Sequence, residues 1–243
     1  MQKPAALSAR PSTPELGWLG DARRHGMLGR LPDALVALLV RSGQRIEFPP
    51  GTIGLRWDEG PKAAIVLRGT LRAYIFYPDG SQVTTRYLKV GDLTGVYAPR
   101  QPLIARGVQA IEQSELLLID GDRLKDVALA EAQVGWALVE ELTTVLNATH
   151  RALYIRAFGT VRQRVVSAIV DRASASGLLA EGRRVLGTQQ DLATAVGSVR
   201  EVVAATLGHL KREGLIDVRR GVVVILDPDR LAREANAIIG AAG

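Results

Sequence analysis

Between residues 44 and 120 apolar and polar positions alternate in short runs, each ended by a turn signal. The runs 45–48, 63–67, 71–77, 83–88, 108–111 and 116–119 are rich in Val, Ile, Leu, Tyr and Phe. Between them stand Pro50-Gly51, Glu59-Gly60-Pro61, Arg68-Gly69, Pro78-Asp79-Gly80 and Val90-Gly91-Asp92. Strands at this close spacing predict a compact roll, barrel or sandwich. Ahead of them, residues 31–42 repeat apolar positions at helical spacing, with Pro32 in a first turn where its missing N–H costs no hydrogen bond. Residues 1–30 scatter Pro, Ser and Gly among short apolar pieces and read as a loose N-terminal arm.

Beyond the strands the period changes. Residues 129–158 contain no Pro and one internal Gly, and Val134, Leu138, Leu142, Val145 and Ala152 recur at three-to-four spacing with Thr149 on the same stripe. A helix of about 30 residues is ~45 Å long and outruns the face of a small roll. Packing on the chain's own strands is one reading of the stripe; a two-stranded seam in a homodimer is the favoured one. Residues 159–243 then hold several short helices. The segment 160–175 is amphipathic, 188–195 opens with Thr188 and Asp191 in a capping-box-like start, and 199–213 follows after Gly197-Ser198. Two apolar runs, 215–218 and 222–226, flank Arg219-Arg220-Gly221 as a hairpin with a basic tip, and a last short helix starts near Asp227.

Composition narrows the chemistry. The 243 residues are 47% hydrophobic and 23% charged, as a globular chain is, and include no cysteine. Disulfides, thiolate metal sites and a cysteine nucleophile are thereby excluded. His25, His150 and His209 are the only imidazoles, and none falls in 44–120, which removes a histidine-ligated metal enzyme built inside the roll. No catalytic triad, phosphate loop or dinucleotide fingerprint is present, so neither enzyme activity, nor a metal, nor a cofactor is expected. The net charge of +6 favours an anionic partner, nucleic acid above all. With no secretory signal and no apolar run of membrane-spanning length, a cytoplasmic protein is expected.

Residues 188–226 carry the most specific pattern. Two helices joined by a tight Gly-containing turn and followed by a hairpin describe a winged helix-turn-helix. A helix entering a major groove needs short side chains for close approach and a few long polar ones to reach base edges. Ser198, Val199, Arg200 and Glu201, followed by Ala204, Ala205 and Gly208, meet that need. Arg200 can bond guanine in pairs and Glu201 can accept from the cytosine amino group. Thr188, Gln189 and Gln190 at the first helix, with Arg219 and Arg220 at the wing tip, are expected on phosphates.

The run Thr188-Gln-Gln-Asp-Leu-Ala, then Val196-Gly-Ser-Val-Arg-Glu-Val-Val203, then Leu210-Lys-Arg-Glu-Gly-Leu-Ile216 resembles the DNA-binding motif of the Crp–Fnr (catabolite activator/fumarate–nitrate regulator) superfamily. Phe48-Pro-Pro-Gly51, Leu67-Arg-Gly69, Asp79-Gly80 and Gly91-Asp-Leu-Thr-Gly95 match turns of that family's cyclic-nucleotide-binding roll. The resemblance implies an α+β chain: an arm (1–30), a roll (31–128), a dimerisation helix (129–158) and a winged helix-turn-helix domain (159–243). It also implies a homodimeric transcription regulator binding double-stranded DNA, with RNA polymerase as a further candidate partner. A regulator that senses a ligand or a protein without reading bases is the competing reading; the basic wing and the Arg200-Glu201 start argue against it.

The match fails where the effector would sit. Members that bind cAMP place a Glu for the ribose just after the Gly matching Gly95, then an Arg-Ser/Thr pair for the phosphate. Here Val96 holds the first place, and either Ile104-Ala105 or Arg106-Gly107 holds the second, depending on the end from which the shortened loop is counted. A buried phosphate without its cation is costly. cAMP is therefore not expected to bind, and the small-molecule effector, if one exists, is unnamed by the sequence. Thr149 and His150 match the dimer-helix pair that touches the effector base. Packing is the favoured role for Thr149, and a solvated side chain rather than a haem ligand for His150.

Overall fold

The computed structural model describes residues 16–54, 62–76, 82–95, 106–177 and 179–240. A 3-10 stretch, Gly17–Arg24, leads into α1 (Gly26–Gly29) and α2 (Asp33–Val40). Eight strands follow: β1 (Gln44–Phe48), β2 (Ile53–Gly54), β3 (Lys62–Arg68), β4 (Leu71–Phe76), β5 (Gln82–Leu88), β6 (Leu93–Thr94), β7 (Arg106–Ala110) and β8 (Ser114–Asp120). They form two antiparallel four-stranded sheets, ordered β1-β8-β3-β6 and β2-β7-β4-β5. Gly51, Gly69, Gly91 and Gly95 all adopt positive φ at the turns, as their place in the pattern requires.

Strand β3 shows why the sheets stack as they do. Its run Ala63-Ala64-Ile65-Val66 is buried on both faces. Ala64 and Val66 join Phe48, Leu71, Leu88, Val108, Ala110 and Leu116 between the sheets. Ala63 and Ile65, with Leu117 and Ile119 of β8, point the other way, beneath helices. Those helices are the N-terminal ones together with α3 (Gly121–Ala130) and the start of α4 (Ala132–Phe158).

Two expectations need correction here. Leu19, Ala22, Met27 and Leu28 are fully buried in this layer, so residues 16–30 are part of the core and not a loose arm; residues 1–15 lie outside the described residues. The glycines at 17, 20, 26 and 29 conceal the helical period there. Nor does one helix run from 129. Glu131 is extended (φ −119°, ψ 99°) and separates α3, which ends at Ala130, from α4, which starts at Ala132.

A second buried cluster builds the C-terminal part. Helix α5 (Val161–Ala175), α6 (Gln189–Val196), α7 (Arg200–Arg212), α8 (Pro228–Gly240) and the sheet β10-β11-β9 surround it. The strands are β9 (Arg184–Leu186), β10 (Ile216–Arg219) and β11 (Val222–Ile225). Val165, Ile169, Leu192, Val203, Leu207, Leu210, Ile216 and Ile225 fill the interior. No buried apolar cluster among the described residues spans both parts. They meet through α5 and α6 against β5 and through polar contacts: Thr70 donates to Ser176 across 3.3 Å, and the Arg172 guanidinium lies 5.8 Å from the Tyr87 ring centre.

Candidate nucleic-acid interface

Helix α6 starts where the Thr188 hydroxyl accepts from the Asp191 N–H at 3.1 Å and the Asp191 carboxylate accepts from the Thr188 N–H at 2.7 Å. It ends at Gly197, left-handed at φ 61°, while the Ser198 N–H turns back to the Ala193 carbonyl at 3.0 Å. The chain then redirects into α7 with Val199 at its N-cap and Arg200 and Glu201 in its first turn. The far end of α7 is anchored by Arg162 of α5. Its guanidinium donates twice to Glu213, at 2.7 and 2.8 Å, and to Glu234 of α8 at 2.6 Å. Those bonds hold the Glu213 carboxyl below its usual range and raise Arg162 further.

A cavity of about 560 Å³ opens between the start of α6, α7 and the β10–β11 wing. Thr188, Gln189, Gln190, Arg200, Arg219 and Arg220 line it, over a floor that includes Leu192, Leu207 and Val222. Six of the nine side chains expected on DNA thus meet in one concavity, although they are more than thirty positions apart along the chain. Glu201 and Val199 are exposed just beside it at the α7 start. Ser198 is placed differently: it is half-buried and, with Gln190, lines a second cavity of about 500 Å³ facing Arg72 and Gln82 of the roll.

One charge arrangement escaped the sequence reading. Asp217 of β10 sits between Lys211 Nζ at 2.8 Å and Arg219 Nε at 3.1 Å, and these hydrogen bonds hold its pKa down to about 2. Arg219, although exposed, is thus already engaged, and Arg220 beside it is exposed with no ion pair among the described residues. The signal was available: residues two apart on a strand share a face, which pairs Asp217 with Arg219.

Three of the five expected effector residues are among the described ones. Val96 and Ile104 lie outside the described residues, and Arg106 is exposed at the first position of β7. Thr149 and His150 are exposed on α4, where the Thr149 hydroxyl donates to the Val145 carbonyl at 2.8 Å. The expected dimer stripe also divides. Val134 is fully buried and Leu138 half-buried against the roll's own core, because α4 begins by packing on α1 and α3 in the helical layer over the first sheet. Further along, Leu142 is 48% exposed, Val145 and Ala152 are half-buried, and Trp136, Val139, Leu146 and Leu153 are exposed apolar residues that the stripe omitted.

Comparison with known proteins finds Crp-like regulators. Residues 163–234 match the profile of a Crp-like helix-turn-helix domain. The chain is 25% identical over 218 residues to a CRP-like cAMP-activated global transcriptional regulator of Mycobacterium tuberculosis, covering 88% of this chain and 97% of the relative. In structure it resembles a crp/fnr family regulator from Eubacterium rectale (TM-score 0.70, 22% identity, 88% and 99% coverage). The chain is similar over most of its length to regulators of the Crp–Fnr family, and its residues 163–234 form a Crp-like helix-turn-helix domain. A similar fold is that of the c-di-GMP responsive global regulator CLP of Xanthomonas campestris (TM-score 0.69, 20% identity, 80% and 99% coverage). These likenesses support a DNA-binding transcription regulator with a strand-built N-terminal part and a C-terminal helix-turn-helix. Among the described residues no helix is long and apolar enough to cross a membrane.

Proposed function

We propose that this protein is a Crp–Fnr regulator, a homodimer that reads a two-fold symmetric DNA site and does so without cAMP. The reading rests on one observation: Gln189, Gln190, Arg200, Arg219 and Arg220 converge on a single groove between the two helices and the wing. In that arrangement α7 enters the major groove with Arg200 and Glu201 at base edges and Val199 positioned for a thymine methyl. Gln189, Gln190 and the wing arginines meet phosphates on either side and set the register. Ala205, one turn beyond Glu201, is too short to add a base contact. That favours a less stringent half-site than a longer side chain would give.

Dimerisation is supported by the apolar face that α4 leaves uncovered. Val139, Leu142, Leu146 and Leu153 follow three-, four- and seven-residue steps, which is the spacing of a two-stranded seam. Two heads across such a seam would present their recognition helices about one helical turn of DNA apart. Independence from cAMP is supported by Val96 in the sequence, which offers no group to a ribose hydroxyl, and by the exposed position of Arg106. The test is selection from genomic DNA fragments by the purified protein, with and without cAMP. Enrichment of a palindromic motif at equal strength in both arms is expected. Failure to enrich any motif would refute sequence-specific binding, and enrichment only with cAMP would refute the independence.

A further inference from the structure

Helix α7 presents a ridge that points away from the core of the head. Val203, Leu207 and Leu210 are its buried face. Glu201, Ala205, Gly208 and Arg212, spaced four, three and four positions apart, share the opposite face. Arg200 and Lys211 stand to one side, toward the wing: Arg200 lines the groove, and Lys211 is held by Asp217 at 2.8 Å. Between Glu201 and Arg212 the ridge carries nothing longer than the Ala205 methyl group.

The Arg212 side chain lies along this bare stretch. Its Nη1 sits 3.5 Å from where a Cβ on Gly208 would stand, so the guanidinium is folded back over the preceding turn. Long helical side chains lean that way, toward the N-terminus of their helix. Arg212 is exposed, and its neighbour carboxylate is already taken: Glu213 accepts from Arg162 at 2.7 and 2.8 Å and from Arg230 at 3.2 Å. Among the described residues no carboxylate stands at ion-pair distance from Arg212. The ridge thus carries a charged fork with five donors and no acceptor, displaced from its own Cα toward the middle of α7.

We infer that Arg212 grips a DNA phosphate at the rim of the major groove. Helix α7 has 13 residues and is ~20 Å long, whereas the groove is ~12 Å wide, so a helix with its first turn on base edges brings its later turns to the phosphate wall. The guanidinium, level with Gly208, lies ~10 Å beyond Glu201 along the helix axis. At that distance it meets backbone oxygens and not base edges. The inference rests on α7 being the reading helix, as proposed above, and divides the labour within it: the first turn specifies and the last turn holds. Ala205 and Gly208 let the backbone come close while Arg212 reaches across them. The head gains affinity by a contact that is indifferent to sequence.

Fluorescence anisotropy on the selected palindrome, at three salt concentrations, compares the full-length parent with Arg212→Gln, Arg212→Lys and Arg200→Ala. In a dimer Arg212→Gln should flatten the slope of log K against log salt by about 1.8 and leave base preference as it was. Arg212→Lys, which keeps the charge, should restore most of that slope. Single methylphosphonate linkages, each removing one phosphate charge, locate the contact: one per half-site should weaken the parent roughly fivefold and leave Arg212→Gln unaffected. If Arg212→Gln misfolds by its melting curve, Arg212→Met, uncharged and of similar reach, takes its place in the scan. A slope equal to the parent's, a changed base preference, or the same linkage profile in parent and variant would overturn the assignment. A charge that serves the end of the helix dipole and nothing else would lower the unfolding midpoint and give that unchanged slope and profile. If the parent enriches no motif, or Arg200→Ala binds the palindrome as the parent does, the reading of α7 fails and this inference with it. If Arg200→Ala loses affinity and Arg212→Gln does not, the inference fails and the reading stands.

Discussion

Removing one arginine from the wing tip yields a number set by simple electrostatics. Arg220 is exposed beside the groove and Arg219 is held by Asp217 at 3.1 Å. On duplex DNA each neutralised phosphate contributes about −0.9 to the slope of log K against log salt, so Arg220→Ala in a dimer should flatten that slope by about 1.8. Raising salt from about 50 to about 200 mM is a fourfold change, so the variant should lose roughly tenfold less affinity than the parent over that range. Arg219→Ala should flatten it less, because Arg219 must first share its charge with Asp217. Asp217→Asn should tighten binding and steepen the slope, since it releases Arg219 and Lys211 together. Fluorescence anisotropy on a selected palindrome at three salt concentrations measures all four proteins. An unchanged slope for Arg220→Ala, or weaker binding by Asp217→Asn, would refute the placement of the wing on phosphates.

Arg200→Ala should cost about 1–3 kcal/mol of binding and relax preference at one base pair per half-site, read by competition among site variants. Leu142→Glu with Leu146→Glu should give monomers by light scattering, because a paired seam would bury four carboxylates without partners. Gly197→Ala forces a side chain into φ 61° and against the Arg156 guanidinium, and should cost about 1–2 kcal/mol in denaturant unfolding. Asp217 is depressed from 3.8 to about 2, so its stabilising contribution is complete above its ordinary range and disappears as pH falls through about 2. Thermal melts from pH 5 downward should therefore show a shallower acid loss for Asp217→Asn than for the parent.

The strands were legible because their ends are marked by glycines and prolines and their middles alternate. The β3 run Ala-Ala-Ile-Val was legible as apolar, but only the fold shows that both of its faces are covered. Strands β2, β6 and β9, two or three residues long, are too short to display any period. The break at Glu131 carries no Pro or Gly to announce it. Helical spacing showed that α4 has an apolar stripe, yet spacing is silent about which neighbour covers each turn. The roll takes Val134, and Leu142 is left bare. The groove residues were legible from chemistry and order along the chain. The surroundings of Ser198 were not legible, because they depend on β4 and β5, more than a hundred positions earlier.

Helix α6 explains how one head serves two neighbours. Its N-terminal turn, where backbone donors and the positive end of the helix dipole attract anions, opens into the DNA groove. Its C-terminal end is covered from the other side: Arg164 reaches the Val196 carbonyl, and Arg156 lies against Gly197. Between those ends Asp191 faces Arg72 of the roll. Inside the head α6 is fixed by Leu192, Ala193 and Val196 in a shared apolar core, whereas toward the roll it faces Arg72, Gln82 and Val83. Individual polar contacts are each worth about 0.5–1.5 kcal/mol net. A handful of them, Thr70 to Ser176 and Arg172 over Tyr87 included, amounts to a few kcal/mol. Specific DNA binding at about 10⁻⁸–10⁻¹¹ M supplies roughly 11–15 kcal/mol, enough to detach the head from the roll, while the packed core of the head moves as one body.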